Sequence, residues 1–277
     1  MPDVRTTSVV FASPHSGRDY AWAFTRRSAL DERTLRSSED AFVDQLFEQA
    51  PVHGAPLLAA TAPRAWVDVN RSADELDPAL IDGLKRTAHN PRVASGLGVV
   101  PRVVANGRAI YRGKIARKEA ETRIRDVWQP WHDALAKLMS DSVALFGEAV
   151  LIDCHSMPHE AIEGLSHSRG ARPEIVLGDR FGAAAGAEIV DRVEAAFVAA
   201  GLRVSRNAPF AGAYVTQHYG RPSQGRHVVQ IEIDRALYMN EVMVRPNGNF
   251  TAFARLMDGV TAQIADIGRR DIPLAAE

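Results

Sequence analysis

Four short segments of the sequence carry side chains that could do chemistry, and each lies where an apolar, strand-like run ends or passes. The apolar run 149–152 leads directly into Asp153 and His155. The other three segments are Ser13-Pro14-His15-Ser16-Gly17, Asp68-Val69-Asn70-Arg71 and Gln230-Ile231-Glu232-Ile233-Asp234. In open α/β sheets, ligands bind outside the carboxyl ends of the strands. Two histidines, an arginine and a glutamate at one sheet edge would form the site of a metal hydrolase.

The two histidines are the candidate metal ligands. His155 follows a strand-like run, and His15 lies in a strand-to-loop transition between a proline and a glycine. Catalytic zinc usually takes three protein ligands and one water, so a third ligand is needed. Because Arg18 stands three residues after His15 and no His-Glu-x-x-His motif is present, that ligand must come from elsewhere, and the candidates are Glu39 and Asp40. The alternative for each histidine is a hydrogen-bonded residue of the core or of a turn, without function.

A catalytic carboxylate is predicted at Glu232, which lies inside the strand-like run 229–233. A charge there is costly unless it is paired or catalytic, and beside an activated water it could act as a general base. The alternative is an edge strand with a solvated polar face. Arg71 has the planar fork that binds a carboxylate in two places, and Asn70 could add an amide hydrogen bond. A surface salt bridge is the alternative for Arg71.

A further group of polar and aromatic residues is predicted to bind substrate. The run 212–222 crowds aromatic rings, a histidine, a hydroxyl and glycines together without a helical period, which is typical of a binding loop. A purely structural hairpin is the alternative. The candidates are Tyr214, Thr216, His218 and Arg221 from this run, and Arg112 from the Tyr111-Arg112 pair.

The composition is that of an ordinary globular protein and disfavours several classes of function. Of the 277 residues, 46% are hydrophobic and 24% charged, and 33 basic against 34 acidic side chains give a formal net charge of −1. This balance argues against nucleic acid or an anionic membrane as a partner. The single cysteine, Cys154, cannot form an intramolecular disulfide, and neither a signal peptide nor a membrane span is visible. We therefore expect a cytoplasmic protein with a small-molecule substrate.

Apolar runs and helical patterns alternate along the chain, which predicts a mixed or parallel sheet sandwiched by helices. Strands are predicted over 9–12, 56–60, 65–69, 149–152, 175–178 and 228–233. Helices are predicted over 30–50, over 116–146 with a kink or boundary at Pro130, from Asp179 to about residue 200 with Gly201 as its end, and over 250–267. Residues 72–113 are irregular and predict a surface excursion or a lid. Because no linker divides the chain, residues 1–277 are expected to form a single domain.

Together these residues resemble the N-formylglutamate amidohydrolase family, over almost the whole chain and in a consistent order. The matching stretches are 13–17, 67–71, 110–112, 128–132, 152–156, 216–220 and 232–241. The family is similar to the zinc carboxypeptidases and their acylamino-acid deacylase relatives, which implies a three-layer α/β/α fold with a mixed, mostly parallel sheet. The resemblance implies one zinc ion at His15 and His155, with Asp40 as the third ligand. In the carboxypeptidases a glutamate three residues after the first histidine takes that place.

The same resemblance implies roles for the remaining polar residues. Asn70 and Arg71 would hold the α-carboxylate of the substrate, and Glu232 would be the general base. The candidates for a second carboxylate or for the oxyanion are Arg112, which follows the resemblance best, Arg221 and Tyr214.

These inferences give the hypothesis of a zinc amidohydrolase that cleaves an N-acyl amino acid, with N-formyl-L-glutamate as the expected substrate and formate and L-glutamate as products. Another deacylase or carboxypeptidase-like hydrolase, acting on a different acyl amino acid or a short peptide, is one alternative. A non-catalytic binding protein on the same fold is the other. Two histidines and a carboxylate also suit iron, cobalt or manganese. The sequence does not determine the oligomeric state.

Overall fold

A six-stranded β-sheet forms the centre of the computed structural model, which describes residues 1–85, 90–163 and 172–269. The strands are β1 (Val9–Ser13), β2 (Leu57–Ala59), β3 (Ala149–Met157), β4 (Ile175–Gly178), β5 (Val204–Arg206) and β6 (Arg226–Asp234), and a further hairpin pairs β7 (Met239–Asn240) with β8 (Arg245–Pro246). The order in the sheet is β2-β1-β3-β6-β4-β5. Only β4 and β6 pair in antiparallel fashion within this sheet, so it is mixed and mostly parallel, as predicted.

Helices cover both faces of this sheet, which gives three layers. They are α1 (Trp22–Arg27), α2 (Glu32–Leu35), α3 (Val43–Leu46), α4 (Pro91–Ala94), α5 (Arg117–Arg123), α6 (Gln129–Phe146), α7 (Glu160–Glu163), α8 (Ala187–Ala199), α9 (Tyr214–Tyr219) and α10 (Phe250–Ala265). Successive strand residues point to opposite faces. Val9 and Phe11 of β1 therefore share a core with α8 and α10, whereas Val10 and Ala12 share one with α6. This arrangement confirms the predicted α/β/α architecture.

The same alternation gathers the polar residues of the two central strands on one face. Asp153 and His155 on β3, and Gln230 and Glu232 on β6, occupy alternate positions on the face that α6 covers. The parallel register pairs Asp153 with Gln230 and His155 with Glu232. Two of the predicted site residues therefore lie side by side near the carboxyl ends of neighbouring strands.

The predicted single helix over 30–50 is wrong. The chain forms α2, a 3₁₀ turn (Arg36–Ser38) and α3 there, with a break in which Phe42 has a left-handed φ of +68°. The apolar residues that suggest the helix are all buried except Phe42, which is half-buried. The break contains Asp40, whose backbone N–H donates to the carbonyl of His15 at 3.0 Å. The helix is interrupted where Asp40 is drawn toward the end of β1.

Three other predicted elements differ from the structure. Residues 65–69 form turns rather than a strand, because the N–H groups of Trp66 and Val67 both donate to the carbonyl of Pro63. The run 212–222 contains α9 rather than a loop or hairpin. The helix predicted to begin at Asp179 starts only at Ala187, since residues 180–182 have positive φ. Strand β5 has no counterpart in the prediction.

The remaining predicted elements are confirmed. The strands over 9–12, 56–60, 149–152, 175–178 and 228–233 and the helix over 250–267 are all present. The helical run over 116–146 contains a π-helical turn (Ile124–Trp128) directly before α6, where Pro130 lacks the N–H that a regular ladder needs. Gly201, with a φ of +82°, follows the end of α8.

Residues 72–113 are irregular in their described part, which contains α4 and a 3₁₀ turn (Ala105–Gly107). Within this segment residues 86–89 lie outside the described chain. Across the described residues, no helix combines the length and hydrophobicity needed to cross a membrane.

His132 connects α6 to the segment that carries Asn70 and Arg71. Its Nε2 donates to the carbonyl of Val69 at 2.8 Å, and its Nδ1 lies 2.8 Å from the hydroxyl of Tyr219 on α9. Burial lowers the pKa of His132 to about 4, although the hydrogen bond to Val69 acts in the opposite direction. The ring is therefore neutral near pH 7, and it connects the segment that contains Val69 to α9, which carries Tyr219.

We predict that His132 makes the protein sensitive to mild acid. Its pKa is about 4 in the folded protein against an ordinary 6.5, so the unfolded chain binds more protons between these values. The neutral ring therefore adds about 3 kcal/mol to the free energy of unfolding above pH ~6.5, and this contribution is lost as the pH falls toward 4. His132→Gln should therefore be less stable than wild type near pH 8, with a difference that narrows in acid. Urea unfolding across this range measures the difference, and a constant gap would contradict the assignment.

Candidate active site

Three buried side chains converge where β1 and β3 end. His15 follows β1, His155 lies near the end of β3, and Asp40 lies between α2 and α3. One oxygen, Asp40 Oδ2, lies 3.3 Å from His15 Nδ1 and 2.9 Å from His155 Nδ1. Ligand atoms from the three residues lie within 4.8 Å of one another, a spacing that could hold one metal ion. The alternative ligand, Glu39, is instead paired with Arg36.

The second nitrogen of each imidazole also has a polar neighbour. His15 Nε2 lies 2.7 Å from Asp68 Oδ1. His155 Nε2 lies 3.1 Å from Asn70 Nδ2 and 3.0 Å from Asp153 Oδ1. The contact with Asp153 lacks hydrogen-bond geometry, and both oxygens of that carboxylate are without a hydrogen-bond partner among the described residues. A histidine that binds a metal typically donates its other ring N–H to a carboxylate or carbonyl oxygen, and Asp68 is placed to accept such a hydrogen bond from His15.

The buried charges around this cluster favour a cation. Asp40, Asp68, Asp153 and Glu232 are all buried. Burial by itself favours a neutral imidazole, yet the surrounding carboxylates raise the pKa of His155 well above its usual value. Burial likewise opposes ionisation of Asp40, but hydrogen bonds from the two histidines hold its pKa well below the usual range. A site that stabilises positive charge, with two imidazole nitrogens and a carboxylate oxygen converging, fits a divalent metal ion.

Arg235 fixes Asp40 from its other side. Arg235 Nη2 donates to Asp40 Oδ1 at 2.9 Å, and Arg235 Nε donates to Ser156 Oγ at 3.1 Å. The Ser156 hydroxyl lies 3.4 Å from the same oxygen of Asp40. Because the side chain of Arg235 is only 7% exposed, this is a buried ion pair. Both oxygens of Asp40 are therefore engaged, one by the imidazoles and one by the guanidinium.

Glu232 lies one strand away from the cluster, opposite His155 in the sheet. Gln230 Nε2 donates to Glu232 Oε1 at 2.9 Å, and Gln230 Oε1 accepts from the N–H of Ala213 at 2.9 Å. Burial raises the pKa of Glu232 to about 7, and Asp40 adds to the rise while neighbouring cations oppose it. A carboxylate with a pKa in this range suits a group that exchanges a proton near neutral pH.

These groups face a cleft of about 320 Å³. The cleft is lined by the three cluster residues, Arg64, Asn70, Arg71, Arg92, Leu97, residues 209–213, Gln230 and Glu232. Arg64 Nε donates to Asp68 Oδ2 at 3.0 Å, whereas Arg71 Nε lies 3.8 Å from the same oxygen. In the described part of the chain Arg71 Nε is buried without a hydrogen-bond partner. An unsatisfied guanidinium at the wall of the cleft is available to an anionic ligand.

Besides Arg71, two predicted substrate residues lie at or beside the cleft. Asn70 lines it, and Asn70 Oδ1 accepts from the N–H of Val215 at 2.8 Å. Tyr214 lines an adjoining cavity. The amide of Asn70 therefore connects the imidazole of His155 to the start of α9, and it orients both.

The other predicted substrate residues lie elsewhere. Thr216 is buried, and its hydroxyl has no hydrogen-bond partner among the described residues. Arg112, His218 and Arg221 are exposed. Arg221 Nη1 donates to the carbonyl of Gln217 at the end of α9, and the ring of His218 stacks on Tyr214 with centroids 5.1 Å apart. None of these side chains lines the cleft or the adjoining cavity.

The structure brings to the site several residues to which the sequence pattern assigns no role. They are Arg64, Asp68, Arg92, Gln230 and Arg235. Asp68 belongs to one of the quoted motifs, and strand alternation places Gln230 on the face of the predicted base, so both carry a signal. The three arginines lie in turns or very short helices without periodicity, so only the tertiary structure identifies them.

Replacing Arg235 with glutamine should destabilise the protein by about 3–5 kcal/mol, because Asp40 would keep a buried charge without its partner. Urea unfolding measures the loss, with a chelator present so that no cation replaces the missing charge. The control is Arg206→Gln, which removes an exposed arginine paired with Asp191 and Glu194 and should cost less than about 1 kcal/mol. Equal losses in the two variants would contradict the role assigned to Arg235.

Known proteins are similar to this chain in both sequence and fold. N-formylglutamate deformylase of Pseudomonas aeruginosa is 32% identical over 237 residues, which cover 84% of this chain and 82% of that protein. The N-formylglutamate deformylase of Pseudomonas putida is 27% identical over 236 residues, with coverage of 84% and 82%. The crystal structure of N-formylglutamate amidohydrolase from Ralstonia eutropha JMP134 superposes with a TM-score of 0.89 at 34% identity, over 97% of this chain and 96% of that one.

A protein of Agrobacterium tumefaciens shares the fold alone, with a TM-score of 0.63 at 18% identity over 94% of this chain and 91% of that one. The family profile described as N-formylglutamate amidohydrolase matches residues 7–239, which include every residue of the cluster and Glu232. The chain belongs to the N-formylglutamate amidohydrolase family.

Proposed function

We propose that this protein is a metal-dependent amidohydrolase that cleaves N-formyl-L-glutamate to formate and L-glutamate. The observation that carries the proposal is the convergence of His15, Asp40 and His155 in a cleft that also contains Glu232 and a buried, unsatisfied Arg71. Family membership and the names of the two Pseudomonas relatives support the choice of substrate.

His15, Asp40 and His155 would hold the metal, which we propose to be a single zinc ion. Such an ion supplies Lewis acidity and lowers the pKa of a bound water toward 7. Asp68 would hold His15 from behind, and Arg235 would keep the Asp40 carboxylate ionised and in place. The donor set also accommodates iron, cobalt or manganese.

Glu232 would act as the general base. Gln230 holds one oxygen of its carboxylate, which fixes the orientation of the group. The carboxylate would take a proton from the attacking water and deliver it to the nitrogen that leaves the formyl carbon. The amide bond would thus break without release of a free amide anion.

Arg71 would bind the α-carboxylate of the substrate. Its guanidinium lies at the wall of the cleft, and the nearest acid, Asp68, is already held by Arg64 and His15. A planar fork with unused donors matches a carboxylate in two places. Asn70 would position the neighbouring imidazole of His155 rather than compete for that carboxylate.

Glu232→Gln should lower kcat for N-formyl-L-glutamate by about 10²- to 10⁴-fold, because the amide keeps the shape of the side chain but cannot accept the proton. Metal content and melting temperature should stay at the wild-type level, since Glu232 is not one of the proposed ligands. Glu121→Gln, which alters an exposed glutamate paired with Arg117, is the matched control and should keep full activity. A Glu232→Gln enzyme with near-wild-type turnover would remove Glu232 from the proposed mechanism.

A further inference from the structure

A second cavity, of about 550 Å³, opens beside the cleft. Arg71 and Arg92 line both spaces, which shows that the two adjoin, whereas Arg180 lines only the second. Arg180 lies in the turn between β4 and α8. Apart from Arg71, the residues that line this cavity have no role in the chemistry proposed above.

Three arginines line the second cavity with little opposing charge. In the described part of the chain, the side chains of Arg92 and Arg180 form no hydrogen bond or ion pair. Glu75 is the one acid among the described lining residues, and its carboxylate already accepts hydrogen bonds from two neighbours. Burial lowers the pKa of Arg71, and the charges of Arg92 and Arg64 lower it further, while Asp68 and Glu75 oppose the shift. The mutual repulsion of these guanidinium groups decreases when an anion binds between them.

The backbone that presents Arg180 is strained. The φ of Arg180 is +55° and that of Phe181 is +56°, a left-handed conformation that bulky side chains rarely adopt. Asn207 Oδ1 accepts from the N–H groups of Asp179 and Phe181 at 3.1 Å and 3.3 Å, and the N–H of Arg180 donates to Ala211 O at 2.8 Å. Strain of this kind persists where the surroundings fix it, and it concentrates at functional sites.

We propose that Arg180, assisted by Arg92, binds the side-chain carboxylate of the acyl amino acid and so selects an acidic substrate. The proposal rests on the proposed function and extends it. With the acyl group at the cluster and the α-carboxylate on Arg71, a side chain directed away from the metal would enter the cavity that Arg71 shares with Arg180. A substrate with a neutral side chain would leave the guanidinium groups unpaired, so its kcat/KM would be lower than that of an acidic substrate.

The test compares N-formyl-L-glutamate with N-formyl-L-glutamine, which has nearly the same shape but no distal charge. Arg180→Gln should lower kcat/KM for the glutamate compound by about 10- to 100-fold, as expected for the loss of a charged hydrogen-bonding partner. For the glutamine compound kcat/KM should change by less than about threefold, since no charge pair is lost. The preference for the acidic substrate should therefore collapse in the variant.

Two further variants control for folding and for alternative assignments. Arg180→Gly suits the left-handed φ, so it should lose the same preference without a lower melting temperature. Arg112→Gln removes the exposed arginine that the family resemblance favours for the second carboxylate, and it should keep the preference. Equal losses on both substrates in the Arg180 variants, or collapse of the preference in Arg112→Gln instead, would overturn the proposal.

A binding measurement separates failure of this inference from failure of the proposed function. Calorimetry on zinc-loaded protein compares L-glutamate with L-glutamine as ligands, without any need for turnover. Tighter binding of L-glutamate by wild type, lost in Arg180→Gln, would support the carboxylate subsite even in a protein that releases no formate. Equal affinity of wild type for the two amino acids would overturn the subsite even in an active enzyme.

Discussion

Asp40 places one carboxylate oxygen between the Nδ1 atoms of two imidazoles and the other against the guanidinium of Arg235. All of these groups are buried, so each charge must be matched by a neighbour at hydrogen-bond distance. That requirement explains the break between α2 and α3, the left-handed backbone of Phe42 and the hydrogen bond from Asp40 N–H to the end of β1. The pairing of buried charges in the site therefore outweighs the local preference for a continuous helix.

The sheet supplies the rest of the geometry. Parallel strands β1, β3 and β6 end on the same side, and the alternation of side chains leaves apolar residues facing α8 and α10 while His155 and Glu232 face the cleft. The apolar neighbours on the same strands anchor these polar groups in a rigid sheet. Rigid placement would matter for the proposed metal, because a metal site tolerates little error in the positions of its ligands.

Much of this architecture could be predicted from the sequence. Strand-like runs, their order and the polar residues at their ends predict the fold class and the two histidines of the cluster, whereas the choice of Asp40 over Glu39 rests on the family resemblance. The prediction of a single helix over 30–50 is wrong even though its apolar spacing is genuine. The break depends on the burial of Asp40 beside two histidines that are distant in sequence, which the spacing does not reveal. Arg64 and Arg180 could not be predicted, since arginines in turns carry no periodicity and their neighbours are distant in sequence.

The central question is whether hydrolysis occurs at the His15–Asp40–His155 cluster with a metal. The most direct measurement is formate release from N-formyl-L-glutamate by protein of known metal content, before and after removal of metal by a chelator and restoration with zinc. We predict a rate that rises with zinc content up to one ion per chain and disappears with the metal. Formate release that is independent of metal content, or its absence from protein loaded with one zinc ion per chain, would contradict this prediction.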